Sequence, residues 1–468
     1  MNVGVVGSHQ INILSKFFLM LLVVSWFAIG LIFSDFHFLE ELGWLSIASL
    51  FFYIVLMACA LSSEKNYWRI APFIVFFTPN AINDIFPSLP ISIDADSPQF
   101  SFFTHIDIFL MAGVIAYCDF SRSSRLVFWG LLVSVVGIYA LVLLSAIYSG
   151  YGGTALIGGF QLRYLILMMF IFNFSNVTSY NKEFFQSLIF VGLAVIVEAA
   201  VFSWLRGHDR LTSGNYGTNA FGHFMAAIFV LSLQRDSFYK RFYSLFSLFA
   251  FLLAIYFSAT RFSLVATFLA VFIMFIVKYN RIDIFVAFVL LGAVAGFGLL
   301  GYTSAGQSVV NGVRLVFESG YDPGYISITP DSSSMVTRII LWSSTISMFL
   351  DNFWLGVGGG NWAYLKYDYG VPFDSVFDPH QDMLNYFVSY GVILGGGMFM
   401  LIYINPLVRA VRSHKLSNEQ WRCFSVLLVF LICGLTNAVS WKHQLSVLIF
   451  YCSLSLYYLK SGNVDVRS

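Results

Sequence analysis

Charged residues are scarce in this sequence: Asp, Glu, Lys and Arg together make up 10% of 468 residues. Soluble domains average about 25%, so a water-exposed globular surface is excluded. Cysteine is also sparse. The five present, Cys59, Cys118, Cys423, Cys433 and Cys452, lie in or beside apolar runs without CxxC spacing, which argues against a disulfide framework or a zinc site. No charge of one sign dominates, the formal net being +1, and nothing calls for a nucleic-acid partner. No repeat of 20 to 50 residues and no low-complexity tail is present. The one lysine ahead of the first apolar run, with no small-residue cleavage site after it, reads as an uncleaved first helix.

What fills the chain is apolar surface: 59% of residues are hydrophobic and the mean hydropathy is +0.80. An apolar helix needs roughly 20 residues to cross about 30 Å of hydrocarbon. Fourteen candidate runs follow, at 17–34, 43–61, 69–86, 102–118, 126–148, 161–178, 185–205, 217–233, 242–259, 262–278, 283–303, 384–404, 422–438 and 444–459. The third is interrupted by Pro79, Asn80, Asn83 and Asp84. The expectation is an all-α polytopic membrane protein of about 12 to 14 transmembrane helices, a single membrane domain over 1–468, with one large loop at 304–383 embedded in it.

Lys and Arg favour cytoplasmic loops. With the N-terminus inside, seventeen of the 25 fall on that side. The skew predicts an even number of crossings, both termini cytoplasmic, and 304–383 facing outward. Eight positive residues remain outside: Arg163, Arg206, Arg210, Arg261, Arg314, Arg338, Lys366 and Lys442. Each is a candidate anion ligand. Arg261 sits between two apolar runs with almost no loop, so it must lie at the membrane boundary. There its planar fork could grip phosphate oxygens or simply snorkel to water.

Arg338 falls at the edge of an apolar stripe formed by Met335, Ile339, Trp342, Ile346, Phe349 and Leu350, which predicts an amphipathic helix over 334–351. Gly356, Gly358, Gly359 and Gly360 end it in a tight turn. No Gly-Lys-Ser/Thr follows to make a phosphate-binding loop. Asp378-Pro379-His380-Gln381 reads as a helix start, with Asp378 as N-cap, Pro379 at the first helical position and Gln381 closing a capping box. His380 would then occupy the first turn, either as a base or as a structural hydrogen-bonder. His105, His208, His223 and His443 read as structural histidines. Two carboxylates, Asp107 and Glu198, lie within apolar runs. Such acids are functional candidates, unless they are satisfied internally by hydrogen bonds or by Arg163 or Arg206. No His or carboxylate spacing points to a metal.

The order of these pieces resembles the O-antigen ligase and O-antigen polymerase family of bacterial envelope glycosyltransferases. The carrying features are Ser258-Ala259-Thr260-Arg261, Thr337-Arg338-Ile339-Ile340-Leu341-Trp342, Trp354-Leu355-Gly356-Val357-Gly358-Gly359-Gly360-Asn361, and His380 leading into Leu384 and Tyr390-Gly391. The chain departs from the pattern at Gln381, where Asn is usual, and at Ser389, where Glu is frequent. The resemblance implies an inner-membrane enzyme of lipopolysaccharide or related polysaccharide biosynthesis. It implies transfer of a glycan from undecaprenyl pyrophosphate to a sugar acceptor, a growing glycan or the lipid A core, on the periplasmic face. No metal, cofactor or nucleotide sugar is implied. Carried onto this chain, Arg261 and Arg338 would hold the pyrophosphate and His380 would deprotonate or orient the acceptor hydroxyl. Arg163, Arg206, Arg210 and Glu198 are further substrate-binding candidates without a motif match.

Two other readings compete. Asp94-Ala95-Asp96 is a DxD match, and with Asp35, Glu40 and Glu41 it fits a metal-dependent lipid-phosphate-sugar glycosyltransferase. Asp107 and Glu198 fit a transporter for a lipid-linked sugar.

Overall fold

The computed structural model describes residues 44–78, 104–119, 160–214, 216–233, 241–279, 333–371, 376, 378–413 and 416–458, with 88–90, 99–101 and isolated positions at 130–144 and 314. The runs expected at 17–34 and 283–303, the run at 126–148 apart from those isolated positions, and the Asp94-Ala95-Asp96 segment lie outside them. The helices are α1 (Trp44–Ala60), α2 (Glu64–Phe76), α3 (His105–Tyr117), α4 (Phe160–Phe174), α5 (Asn181–Arg206), α6 (Gly217–Ser232), α7 (Arg241–Phe257) and α8 (Arg261–Tyr279). They are followed by α9 (Ser333–Asp351), the short α10 (Trp362–Leu365), α11 (Asp382–Arg412), α12 (Asn418–Cys433) and α13 (His443–Tyr458). The described residues are helical, as the all-α expectation has it, apart from a three-residue hairpin in which β1 (Ser88–Pro90) pairs antiparallel with β2 (Gln99–Ser101).

Local chemistry sets the helix ends. Ser63 caps α2 by accepting from Asn66 N, and Thr104 with Asp107 forms a reciprocal capping box on α3. Gly207, at φ 65°, closes α5 in the left-handed conformation that glycine adopts without a Cβ clash. Within the interrupted third run α2 ends at Phe76; its residues from Pro79 on lie outside the described ones.

By length and composition α5 and α11 can each cross a bilayer, and several described helices are shorter apolar segments. Apolar side chains point outward along α5: Phe190, Val197 and Trp204 are 61%, 64% and 81% exposed. Water would penalise that surface, whereas hydrocarbon does not. Inside the bundle α6 is surrounded by α5, α7, α8 and α12. Its residues from Ala220 to Leu231 are buried apart from a half-buried Phe229. Trp68, Phe184 and Tyr451 fuse α2, α5 and α13, the last two rings stacking at 4.0 Å.

The part that positions the site is the join between α9 and α11. The Trp354–Gly360 turn runs beside the residues where α11 changes pitch, and three backbone hydrogen bonds link them: Val357 N to Val388 O, Gly358 N to Ser389 O and Val392 N to Phe353 O. The two backbones touch. A Cβ on Gly391 would lie 2.1 Å from Trp354 O, and one on Gly356 would lie 2.5 Å from Gly391 N. Gly391 also holds φ 68° with ψ −177°, a region that essentially only glycine occupies. Beyond it α11 passes through π turns at Gly391–Gly395 and Met400–Ile404. A small core of Leu341, Met348, Val357, Trp362, Val371 and Val388 fills the space under the turn, and Trp362 Nε1 donates to Thr345 Oγ1 at 2.9 Å.

Gly391→Ala is therefore expected to cost roughly 2 kcal/mol or more, through combined backbone strain and collision. Thermal unfolding of the detergent-solubilised protein measures it. A variant that melts with the wild type would show that this contact carries no stability.

Candidate functional site

The clamp at Gly356 and Gly391 joins the turn after α9 to the point where α11 changes pitch. The stretch of α11 before the clamp packs beside α9, with Phe349 edge-on to Phe387 at 5.5 Å, so the beginnings of the two helices lie toward the same end. From Arg338 to Asp351 α9 rises about 20 Å, and from Asp382 to Gly391 α11 rises about 14 Å, at 1.5 Å per residue. Arg338 and His380, 42 positions apart in sequence, are thereby brought within range of one another's charge.

His380 does not occupy the first helical turn, as the capping pattern predicts. The helix begins at Asp382 with Gln381 as its N-cap, and the Gln381 side chain makes no cap bond. His380 precedes it at φ 52°, in the left-handed region. The reason is local competition. Asp378 Oδ1 accepts from His380 N at 2.7 Å, closing a turn of its own, while Asp382 N is drawn to Gly434 O at 2.8 Å. Asp382 itself is buried, accepting from Ser440 N, Ser440 Oγ and Tyr403 OH. It anchors the helix start and does not face the histidine.

The same Asp378 oxygen lies 2.7 Å from His380 Nδ1. A carboxylate on Nδ1 fixes the tautomer, so in the neutral ring Nε2 is the free acceptor. Burial opposes the charged ring, but Asp378 outweighs burial and the nearby Arg338 and Lys442, and holds the histidine above its ordinary 6.5. Burial likewise works to raise Asp378, and the histidine and its two hydrogen bonds bring it below the usual carboxylate value.

Arg338 is half-buried. Its Nε is buried without a hydrogen-bond partner, and the guanidinium makes no ion pair among the described residues. One turn along the same helix Trp342 Nε1 is likewise a buried donor without an acceptor. Unsatisfied buried donors are costly, and a half-buried guanidinium without an ion pair is a candidate site for an anion. Burial pulls the Arg338 pKa down from its usual value.

Arg261 opens α8, directly after Ser258-Ala259-Thr260, and its side chain lies outside the described residues. The turn before it is strained: Ala259 holds φ 53°, at a cost of about 1–2 kcal/mol for a residue with a Cβ. Ala259 and His380 are the two non-glycine residues at positive φ among the described residues. Such strain persists where surroundings over-determine it, often at functional sites. Thr260 Oγ1 donates to Thr218 O at 3.3 Å, and a Cβ on Gly222 would strike Thr260 at 2.7 Å. These contacts seat α6 against the turn.

The remaining candidates separate by partner. Arg163 is buried and engaged by Asp107, Nε to Oδ1 at 2.5 Å and Nη2 to Oδ2 at 2.9 Å. Thr104 donates to the same carboxylate and contacts Tyr164, which in turn meets His443 Nδ1. Glu198 accepts from Gly214 N at 3.0 Å and braces the loop after α5. Arg206 lies over the Phe202 ring; Arg206, Arg210, Arg314 and Lys442 are exposed. Lys366 is buried on Val376 O. The structure thus brings Arg338 and Asp378 within charge reach of His380, pairs Arg163 with Asp107, and sets Glu198 Oε1 on the loop after α5. Sequence reading missed the Asp378–His380 pair as an orienting contact, although an Asp two residues ahead of a His was its signal. Among the described residues no group of three His, Cys, Asp or Glu could hold a metal.

A helical membrane protein with a basic, histidine-bearing site at one end of the bundle is the class these features define. Residues 246–400 match the family model Wzy_C, described as O-antigen ligase. The match runs from within α7 through both strained turns and the glycine clamp into α11, and supports the likeness to the O-antigen ligase and polymerase family over that stretch. A domain of this kind supports a glycan-transfer role in surface polysaccharide biosynthesis. No curated protein matches the chain.

His380 is expected to titrate above 6.5 by NMR of the ring carbons, and Asp378→Asn to lower that midpoint. Because a base works deprotonated, the acid limb of the rate profile should rise through the same midpoint and move down with it. An unchanged limb in Asp378→Asn would remove the orienting role. Arg163→Ala, which strands a buried carboxylate, is expected to destabilise the protein by roughly 3–5 kcal/mol, read as loss of folded protein on size exclusion.

Proposed function

We propose that the chain transfers a glycan from undecaprenyl pyrophosphate to a sugar hydroxyl on the periplasmic face of the inner membrane, without a metal and with inversion. The observation that carries this reading is the half-buried Arg338 guanidinium, lacking a partner among the described residues and lying within charge reach of the Asp378–His380 pair. The acceptor O–H attacks the anomeric carbon as the bond from that carbon to the pyrophosphate oxygen breaks. The bonding pair leaves with polyprenyl pyrophosphate, and His380 Nε2 takes the hydroxyl proton before passing it to water. Pyrophosphate is already a good leaving group. The demand on the protein is to stabilise its growing charge and to activate the acceptor, which fixed guanidiniums and an oriented imidazole meet. Arg338, with Arg261 at the head of α8, takes the first task.

The outward placement of this end follows from the excess of Lys and Arg on the other. Polymerase and ligase share the donor chemistry and differ in acceptor. Fourteen apolar runs lean toward the polymerase, which extends the lipid-linked chain.

In a deletion strain complemented with His380→Ala or Arg338→Ala, the polysaccharide ladder is expected to vanish while the protein accumulates in the membrane. A polymerase defect leaves core plus one repeat. A ligase defect leaves bare core with polymer on its lipid carrier. Wild-type ladders from either variant would refute the mechanism, and transfer by purified enzyme that stops in EDTA would refute metal independence.

A further inference from the structure

His223 lies outside the stretch that matches the family, and its surroundings do not fit a histidine whose bonding is complete. It sits in α6, 1% exposed, with Nδ1 2.7 Å from Ser263 Oγ. Its other ring nitrogen, Nε2, is buried without a partner. Ser263 is fully buried two residues past Arg261, and the imidazole nitrogen is the acceptor that its hydroxyl meets. A buried hydroxyl proton must be donated. Ser263 therefore donates to Nδ1, and the neutral ring carries its own proton on Nε2.

That makes Nε2–H an unsatisfied buried donor. Arg338 Nε is another, and the Arg338 charge acts on His223. Two neighbouring donors cannot satisfy one another. Each needs an acceptor, and an oxyanion presents several lone pairs at once. Resting on the pyrophosphate reading of the same site, we propose that His223, held in its Nε2–H tautomer by Ser263, is a further phosphate ligand. It donates to a non-bridging oxygen of the diphosphate that Arg338 grips. His223 is then a binding residue of the leaving group, reaching it from α6, whereas His380 serves the acceptor.

The test uses the full-length protein in detergent, with inorganic pyrophosphate as the probe and calorimetry as the readout. His223→Leu is expected to weaken pyrophosphate by about tenfold, the scale of one hydrogen bond to a charged group. His223→Gln, which keeps an N–H near the Nε2 position, should recover most of it. In transfer assays the loss should fall on KM for the lipid-linked donor more than on the acceptor. The ring 15N shifts of His223 should report protonation at Nε2, and Ser263→Ala should abolish that preference. If Arg338→Ala weakens pyrophosphate while His223→Leu and His223→Gln, both monodisperse, leave it unchanged, the inference fails and the pyrophosphate reading stands. If wild-type protein does not bind pyrophosphate, both fail. A ring protonated at Nδ1 also overturns the assignment, and that measurement needs no variant to fold.

Discussion

The site end of this protein depends on two peptide backbones in contact. Where Gly356 meets Gly391 no side chain fits, and the three hydrogen bonds across the junction hold the turn after α9 against the point where α11 changes pitch. Helices are stiff at this length, so the junction also fixes where the segments leading into it begin. That constraint keeps Arg338 within charge reach of His380. The small core beneath the turn resists shear between the two helices, because close-packed side chains have few alternative arrangements.

Around this frame the protein places polar groups in two different ways. Asp107 with Arg163, Asp382 with Ser440 and Tyr403, and Lys366 with Val376 are buried and paired within the protein. They hold helices in register. Arg338 and His223 are buried without full satisfaction, a state that costs free energy unless a ligand completes it. Arg163 and Arg338 are both outward-side arginines by the charge count, yet Arg163 is engaged by the Asp107 carboxylate, whereas Arg338 makes no ion pair among the described residues.

Strain points to the same place. The backbones of Ala259 and His380 are both left-handed; one precedes the arginine that heads α8, the other presents the imidazole. Asp378 contributes twice at the second turn, bonding the His380 amide to stabilise the strained conformation and the ring to orient it. One carboxylate thus couples backbone geometry to side-chain direction.

Much of the architecture was legible in the sequence, because an apolar run long enough to cross hydrocarbon has few other fates. Described helices stand at many of the expected positions, and the amphipathic stripe around Arg338 became α9. The motifs around Arg261, Arg338, the glycine turn and His380 were also readable, since each is local. What the sequence did not reveal depends on contacts between distant segments. The histidine lies outside the helix because Asp382 N bonds to Gly434 O, an acceptor 52 positions away. Asp107 chose Arg163 rather than a substrate, and His223 was read as structural because its neighbours Ser263 and Arg338 are far along the chain. The sequence by itself determined which residues could be buried in lipid and where polar chemistry was scarce enough to matter. Only the tertiary structure decided which buried donors found partners, because satisfaction of a hydrogen bond is a property of two positions and not of one.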